Sequence, residues 1–322
     1  MNKLVILLLF LIIILLPFLG IGDYILRIAI MAGIYIILAS SLNLVTGIAG
    51  QVSLGHAAFY GIGAYTSALL SLKLGVSFWG AMVAAALVAG VMGFVIGLPS
   101  LRLKGGYLVI TTLGFNEIVR LILINWDSLT RGPMGLPGIP APSMFGRAFQ
   151  SNVPYYYLIL ALAAITLFII YSILNSRIGR NLLAIREDDV AAEAMGINPS
   201  RYKVTAFVIG AVLAGIAGSF YAHFVSYIDP QSFSFDESVT ILSMVVLGGM
   251  GSMAGAILGA VLMVALPELL RFLVQYRMLI YGLVLVVMML VRPMGILGKV
   301  PFDLNFVLGA KRPDRTRERG AG

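Results

Sequence analysis

The sequence predicts an all-α polytopic membrane protein of about eight to ten transmembrane helices, with broken or re-entrant segments among them. Three observations carry this. Of 322 residues, 60% are apolar and 11% are charged, where a soluble domain devotes about 25% to charge so as to cover its surface. The apolar residues are gathered into runs long enough for a hydrocarbon core of about 30 Å, near 20 helical residues. The cationic residues, 22 against 14 acidic ones for a formal charge of +8, are gathered between the runs. That is a topology signal before it is a sign of nucleic acid.

The first run, Leu4 to Leu19, follows Lys3 and has no small-residue cleavage site after it, so it is read as a retained helix. Runs at Tyr24 to Val45, Ser53 to Leu72, Phe78 to Leu98, Gly106 to Asn125, Pro154 to Leu174 and Val204 to Val225 follow. The run from Ser238 to Leu266 is too long for one crossing, and the cluster Gly248, Gly249, Gly251 and Gly255 inside it favours a hairpin or a break. A last run spans Tyr276 to Val291.

Charge fixes a sidedness. The loop from Asn175 to Lys203 and the tail with Lys311, Arg312, Arg315, Arg317 and Arg319 are both expected in the cytoplasm. Counting 238–266 as two crossings satisfies both, and places both termini and the Arg102/Lys104 loop inside, with Trp79 and Trp126 at the outer interface. Halves of about 15 residues are short for a full crossing, so re-entrant segments stay open. Residues 1–300 form the transmembrane domain in this reading, and 301–322 a basic cytoplasmic tail expected to be disordered.

Enzyme chemistry is disfavoured. The chain has no cysteine, and its two histidines, His56 and His223, have no metal-ligand spacing. Glu117 and Arg120, at i, i+3 in the fifth run, are read as a structural ion pair before a proton relay. No phosphate-binding loop occurs, since Gly298-Lys299 is followed by Val300. An energy source, if ATP, must be bound by a partner, and no cofactor or metal is expected on this chain.

The 175–203 loop is punctuated as two short helices. Asp188 or Asp189 can cap the second, Val190 to Met195 are good helix formers, Gly196 suits a left-handed C′ position and Pro199 forbids continuation. Ala191, Ala192 and Ala194 are expected to be exposed for close packing by another protein, although a plain solvated loop fits the composition equally well.

Positions 190–196, Val-Ala-Ala-Glu-Ala-Met-Gly, resemble the coupling motif E-A-A-x-x-x-G of ABC importer permeases, with Val190 in place of the Glu. The flanking Ala184 to Asp189 and Ile197 to Lys203, with Ser41 to Gly47, Gly50 to Phe59 and Leu247 to Ser252, resemble branched-chain amino-acid permeases of the LivM type across about residues 40 to 298. The resemblance implies a cytoplasmic coupling helix, with Arg186, Glu187, Asp188, Asp189, Ala191, Ala192 and Gly196 meeting an ATPase. It also implies a second related permease, two ATP-binding cassette subunits, an extracytoplasmic solute-binding protein and the bacterial cytoplasmic membrane. Leu, Ile and Val would be the solutes, with urea or short amides as an alternative; an ion-coupled secondary transporter and a passive channel are the rivals from other classes.

Gly47, Gly50, Gly55, Gly61 and Gly63 put five glycines in 17 residues. Two roles fit: close helix packing, or a broken helix lining a cavity. The interleaved Asn43, Thr46, Gln51, Ser53 and His56 are the candidate translocation path, and Gly50, Gly55, Gly248, Gly249 and Gly251 the candidate hinge or gate. The Pro-rich outer segment from Trp126 to Val153 is either a seat for a binding protein or a passive cover.

Overall fold

The computed structural model describes residues 15–18, 22–100, 103, 105–144, 147–269, 282 and 295–297. The expected spans at 4–19 and 276–291 lie almost wholly outside the described residues, as do Lys3, Arg102, Lys104 and the tail.

The described chain is helical throughout its long segments: α1 Asp23–Asn43, α2 His56–Leu74, α3 Phe78–Ser100, α4 Gly106–Asn125, α5 Asn152–Asn175, α6 Arg177–Glu187, α7 Asp189–Ala194, α8 Pro199–Val225, α9 Phe235–Gly248 and α10 Met253–Leu269. Five of them, α1 with its continuation to Ile48, α3, α4, α5 and α8, have the length and apolarity to cross a membrane. Charge-poor apolar sequence dictates this, because in lipid each backbone N–H and C=O must be satisfied within its own segment.

Successive long helices run in alternate directions between two faces. One face carries α6 and α7. The other carries residues 126–144, 147–151 and 226–234, where Leu136–Pro137 pairs antiparallel with Tyr227–Ile228. The 14-residue α9 and 17-residue α10 form the hairpin that the glycine cluster predicts. Its tip points toward the α6 face, and its far end returns beside the start of α1, where the Tyr24 hydroxyl donates to Glu268.

α8 is the central helix, packed between α2 and α3. Small residues let the backbones approach: a Cβ on Gly215 would stand 2.6 Å from that of Ala89, and one on Gly218 would overlap the Tyr60 carbonyl oxygen. The core around them is apolar and continuous, from Ile30, Ile34 and Leu38 of α1 through Phe59 of α2 to Phe207 and Phe220 of α8.

The outer segment is pinned. His223 Nδ1 donates to the Pro140 carbonyl at 2.6 Å, which leaves Nε2 of the neutral ring to accept from the Ser67 hydroxyl at 2.9 Å. Ser67 in turn accepts from Ser219 at 2.7 Å. Trp79 Nε1 donates to the Ser143 carbonyl and Lys73 to that of Ser128. The prolines therefore sit in a loop tied to α2, α3 and α8.

Candidate functional site

Two helix interruptions meet on the side of the bundle that carries α6 and α7. The first ends α1. After Asn43 the backbone widens into a π-helical turn, Leu44–Ile48, and Gly50 takes a left-handed φ of +70°. Residues 51–55 are not helical, so the predicted span at Ser53 begins as a helix only at His56. The second interruption joins α9 to α10. Gly249 and Gly251 adopt φ of +116° and +85°, a region in which an L side chain is strained. The carbonyls of Leu247 and Gly248, orphaned at the end of α9, accept from Ile296 and Leu297 at 3.0 and 2.9 Å.

Asn43 fastens the two interruptions together. Its Oδ1 accepts from Gly251 N–H at 2.8 Å and its Nδ2 donates to the Ser252 carbonyl at 3.2 Å. The approach is so close that a Cβ on Gly47 would overlap the Gly251 nitrogen. Arg186, the penultimate residue of α6, reaches into the same junction: Nη1 donates to the Gly47 carbonyl at 2.5 Å. A Cβ on Gly251 would lie 2.7 Å from that nitrogen. A cleft of about 230 Å³ opens beside the junction, between Gly50, Gln51, Ile185, Arg186 and Asp188.

The other candidate path residues are buried here. Thr46 donates to the Gln51 carbonyl at 3.2 Å, Ser53 accepts from Gly55 N–H at 3.2 Å, and His56 Nε2 meets the Ser41 hydroxyl at 2.7 Å. Gln51 Oε1 is a buried acceptor with no hydrogen-bond partner among the described residues. Four polar residues outside the candidate path and gate complete the junction. Thr112 accepts from Leu54 N–H at 3.0 Å, Ser238 from Ala57 N–H at 3.0 Å, and Asn116 from the Ser238 hydroxyl at 3.4 Å, while Ser252 takes part through its carbonyl. The signal that could have found them is the one that found Asn43: polar side chains in apolar spans, with Thr112 and Asn116 on one face at i, i+4.

The glycines divide between the two roles. Gly50, Gly249 and Gly251 sit where the chain breaks, at positive φ. Gly55, Gly61, Gly63 and Gly248 serve close approach, Gly55 lying against the Thr112 carbonyl and Gly248 against that of Gly255.

The α6–α7 segment follows its punctuation. Ser176 caps α6, accepting from Ile178 N–H at 3.1 Å, and Leu182 and Ile185 are buried; Leu182 packs against Leu44 and Ile48 of the first interruption. Asp188 is the cap of α7, its Oδ1 accepting from Val190 and Ala191 at 2.8 and 3.1 Å. Asp189 instead pairs with Lys203 of α8 at 2.6 Å. Gly196 closes the motif at φ +79° with open space where a Cβ would stand.

One expectation is corrected. Ala191 and Ala194 are exposed, but Ala192 is buried at 4% exposure, on the side of α7 that meets the rest of the fold; its carbonyl accepts the Ile197 N–H at 3.0 Å as the chain turns at Gly196. Val190 and Met195, 70% and 82% exposed, form the outward apolar surface in its place.

Apolar crossing helices, interruptions built from glycine and buried amides, and a capped two-helix elbow linked to them define a multi-pass helical membrane protein. The chain belongs to the family of branched-chain amino acid transport system permease components, whose model matches residues 24–291. It is 43% identical over 293 residues to the high-affinity branched-chain amino acid transport system permease protein LivM of Salmonella typhimurium, covering 84% of this chain and 69% of that one. LivM of Escherichia coli is 41% identical over 311 residues, covering 89% and 73%. The chain is also similar to LivH of Escherichia coli, at 29% identity over 294 residues and 82% and 91% coverage. No solved structure gives a match. The family is one of transport permeases, not of enzymes.

Proposed function

We propose that this chain is one of two related permease subunits of an ATP-driven importer for branched-chain amino acids in a bacterial cytoplasmic membrane. Its likeness to both LivM and LivH supports a permease pair. Residues 1–300 act as the permease domain, with 175–203 as its coupling loop and 301–322 as a cytoplasmic tail. The α6–α7 face and both termini lie in the cytoplasm. ATP is bound by two partner ATPases, and an extracytoplasmic binding protein delivers solute to the face built from 126–153.

The observation that carries the reading is Arg186. It stands in the loop that would receive the ATPase, beside Glu187, Asp188, Asp189, Ala191, Ala192 and Gly196, and its guanidinium is held on the Gly47 carbonyl at the junction of the two interruptions. A displacement of α6 and α7 as the ATPases close is passed through this bond to the backbone at Gly47 and, across Asn43, to Gly251. Gly50, Gly55, Gly248, Gly249 and Gly251 form the gate that this displacement opens. Asn43, Thr46, Gln51, Ser53 and His56, buried at rest, face the solute when it opens. Small neutral groups suit a carrier that must release what it moves.

The test is to purify the chain from its native membrane in mild detergent and identify its stoichiometric companions. Recovery of a second permease and ATPase subunits, lost on Val190→Arg or Met195→Arg at the exposed surface of the elbow, is the expected result. A self-contained oligomer that transports without ATP overturns the reading in favour of an ion-coupled carrier. Uptake of urea or short amides but not leucine by the assembled system selects the alternative solute.

A further inference from the structure

α4 presents two unlike sides. Leu108, Thr112, Asn116, Val119 and Leu123 are buried against the rest of the bundle, and the opposite side is open. On the open side, within a membrane-crossing helix, lie Glu117 and Arg120, their side chains 39% and 21% exposed. Arg120 Nε donates to both carboxylate oxygens of Glu117 at 3.1 and 3.0 Å, and Nη2 donates to one of them. Nη1 reaches Gln231 Oε1 at 3.3 Å. Gly114, one turn earlier, has open space where a Cβ would stand.

Charged side chains within a span face a bundle interior or a water-filled cavity, because hydrocarbon cannot solvate them. The interior of this chain is on the other side of α4. The part of that side that carries Glu117 and Arg120 therefore faces water or polar surface when the protein works, at a level about 9 Å below Trp126, six residues on at 1.5 Å per residue, while Tyr107, Ile110 and Ile122 keep the rest of it apolar.

We propose that the open face of α4 lines the solute path near its 126–151 end, and that Glu117 and Arg120 there receive an amino acid as a zwitterion. This rests on the importer reading above. The chemistry is complementary: the Glu117 carboxylate takes the ammonium, and the planar fork of Arg120 takes the carboxylate through two parallel N–H···O bonds. At rest the pair satisfies itself. With solute present, one ion pair is exchanged for two, so no net charge is left in either state. Leu121, 45% exposed and one turn on from Glu117, offers apolar surface to a branched side chain. An uncharged amide has neither charge for the pair to read.

The experiment uses the complete importer with its binding protein in proteoliposomes and follows ATP-driven uptake of labelled leucine. Glu117→Gln and Arg120→Gln are each expected to lower uptake at least about tenfold, with the variant chain still recovered in the assembled complex. Arg120→Lys keeps the charge but not the fork and is expected to lose at least about threefold. The double exchange Glu117→Arg with Arg120→Glu restores an ion pair but inverts its order beside the apolar wall, and is expected to stay as low as the single variants. Restoration by that exchange makes the pair a structural clamp and overturns the proposal, as does uptake within about twofold in both neutral variants. If the wild-type importer moves leucine and the variants do too, this proposal alone falls. If the wild-type moves only uncharged amides, the branched-chain reading falls with it.

Discussion

The Arg186 guanidinium donates to the Gly47 carbonyl across 139 positions of sequence, at 2.5 Å. This one bond joins the end of α6 to the π turn that ends α1, and it lies against the α9–α10 tip at Gly251. A surface elbow is thus tied to the interior at the place where the interior backbone has already left the helix.

Removing the bond should uncouple the elbow while leaving the fold. A charge-assisted hydrogen bond contributes about 1.5–3 kcal/mol, so Arg186→Ala is expected to reduce ATP-driven uptake by about tenfold or more in proteoliposomes. Arg186→Lys retains a single donor and should fall between the two. Full uptake by Arg186→Ala would remove this bond from the mechanism.

Gly251 stands at φ +85° with Arg186 behind it, so Gly251→Ala meets both backbone strain and a steric conflict. A loss of about 1–3 kcal/mol is expected, seen as a lower melting temperature in detergent. Gly196→Ala, at φ +79° with open space around it, carries the strain alone and should cost less. Equal melting temperatures for the two would mean that the Arg186 contact adds nothing.

Asp188 carries the cap of α7 on one carboxylate oxygen. Asp188→Ala is expected to cost about 0.5–2 kcal/mol locally, fraying α7 and weakening recovery of the ATPase partners. Asp188→Asn, whose side-chain oxygen caps nearly as well, should restore recovery. If Asn does not rescue, the charge of Asp188 matters in its own right.

His223 holds the outer segment through Pro140. His223→Ala releases that carbonyl and leaves the fully buried Ser67 hydroxyl without its acceptor, a penalty of about 1–3 kcal/mol for a buried polar group. Limited proteolysis should then cut within 126–151 at protease concentrations that spare the wild type. An unchanged digestion pattern would place the anchor in the short strand pair instead.

Much of the candidate site was legible as sequence. The two-helix elbow followed from Asp188, Gly196 and Pro199, since caps and left-handed positions depend on a few neighbouring residues. The hairpin at 249–252 followed from clustered glycine. The burial of Ala192 was not legible, because it depends on which side of α7 the rest of the fold covers, which no local punctuation encodes.

Helical spans, their apolarity and the glycine-marked interruptions were determined by the sequence itself, because backbone satisfaction and side-chain conformational freedom act over one or two turns. Tertiary structure alone decided that Asn43 lies on Gly251 and Arg186 on Gly47. These contacts join residues more than 130 positions apart, and they form only when α8 packs between α2 and α3 and carries the elbow to the end of α1. Such pairings depend on how close two segments can come, which glycine permits at one partner of each pair but which neither segment specifies alone.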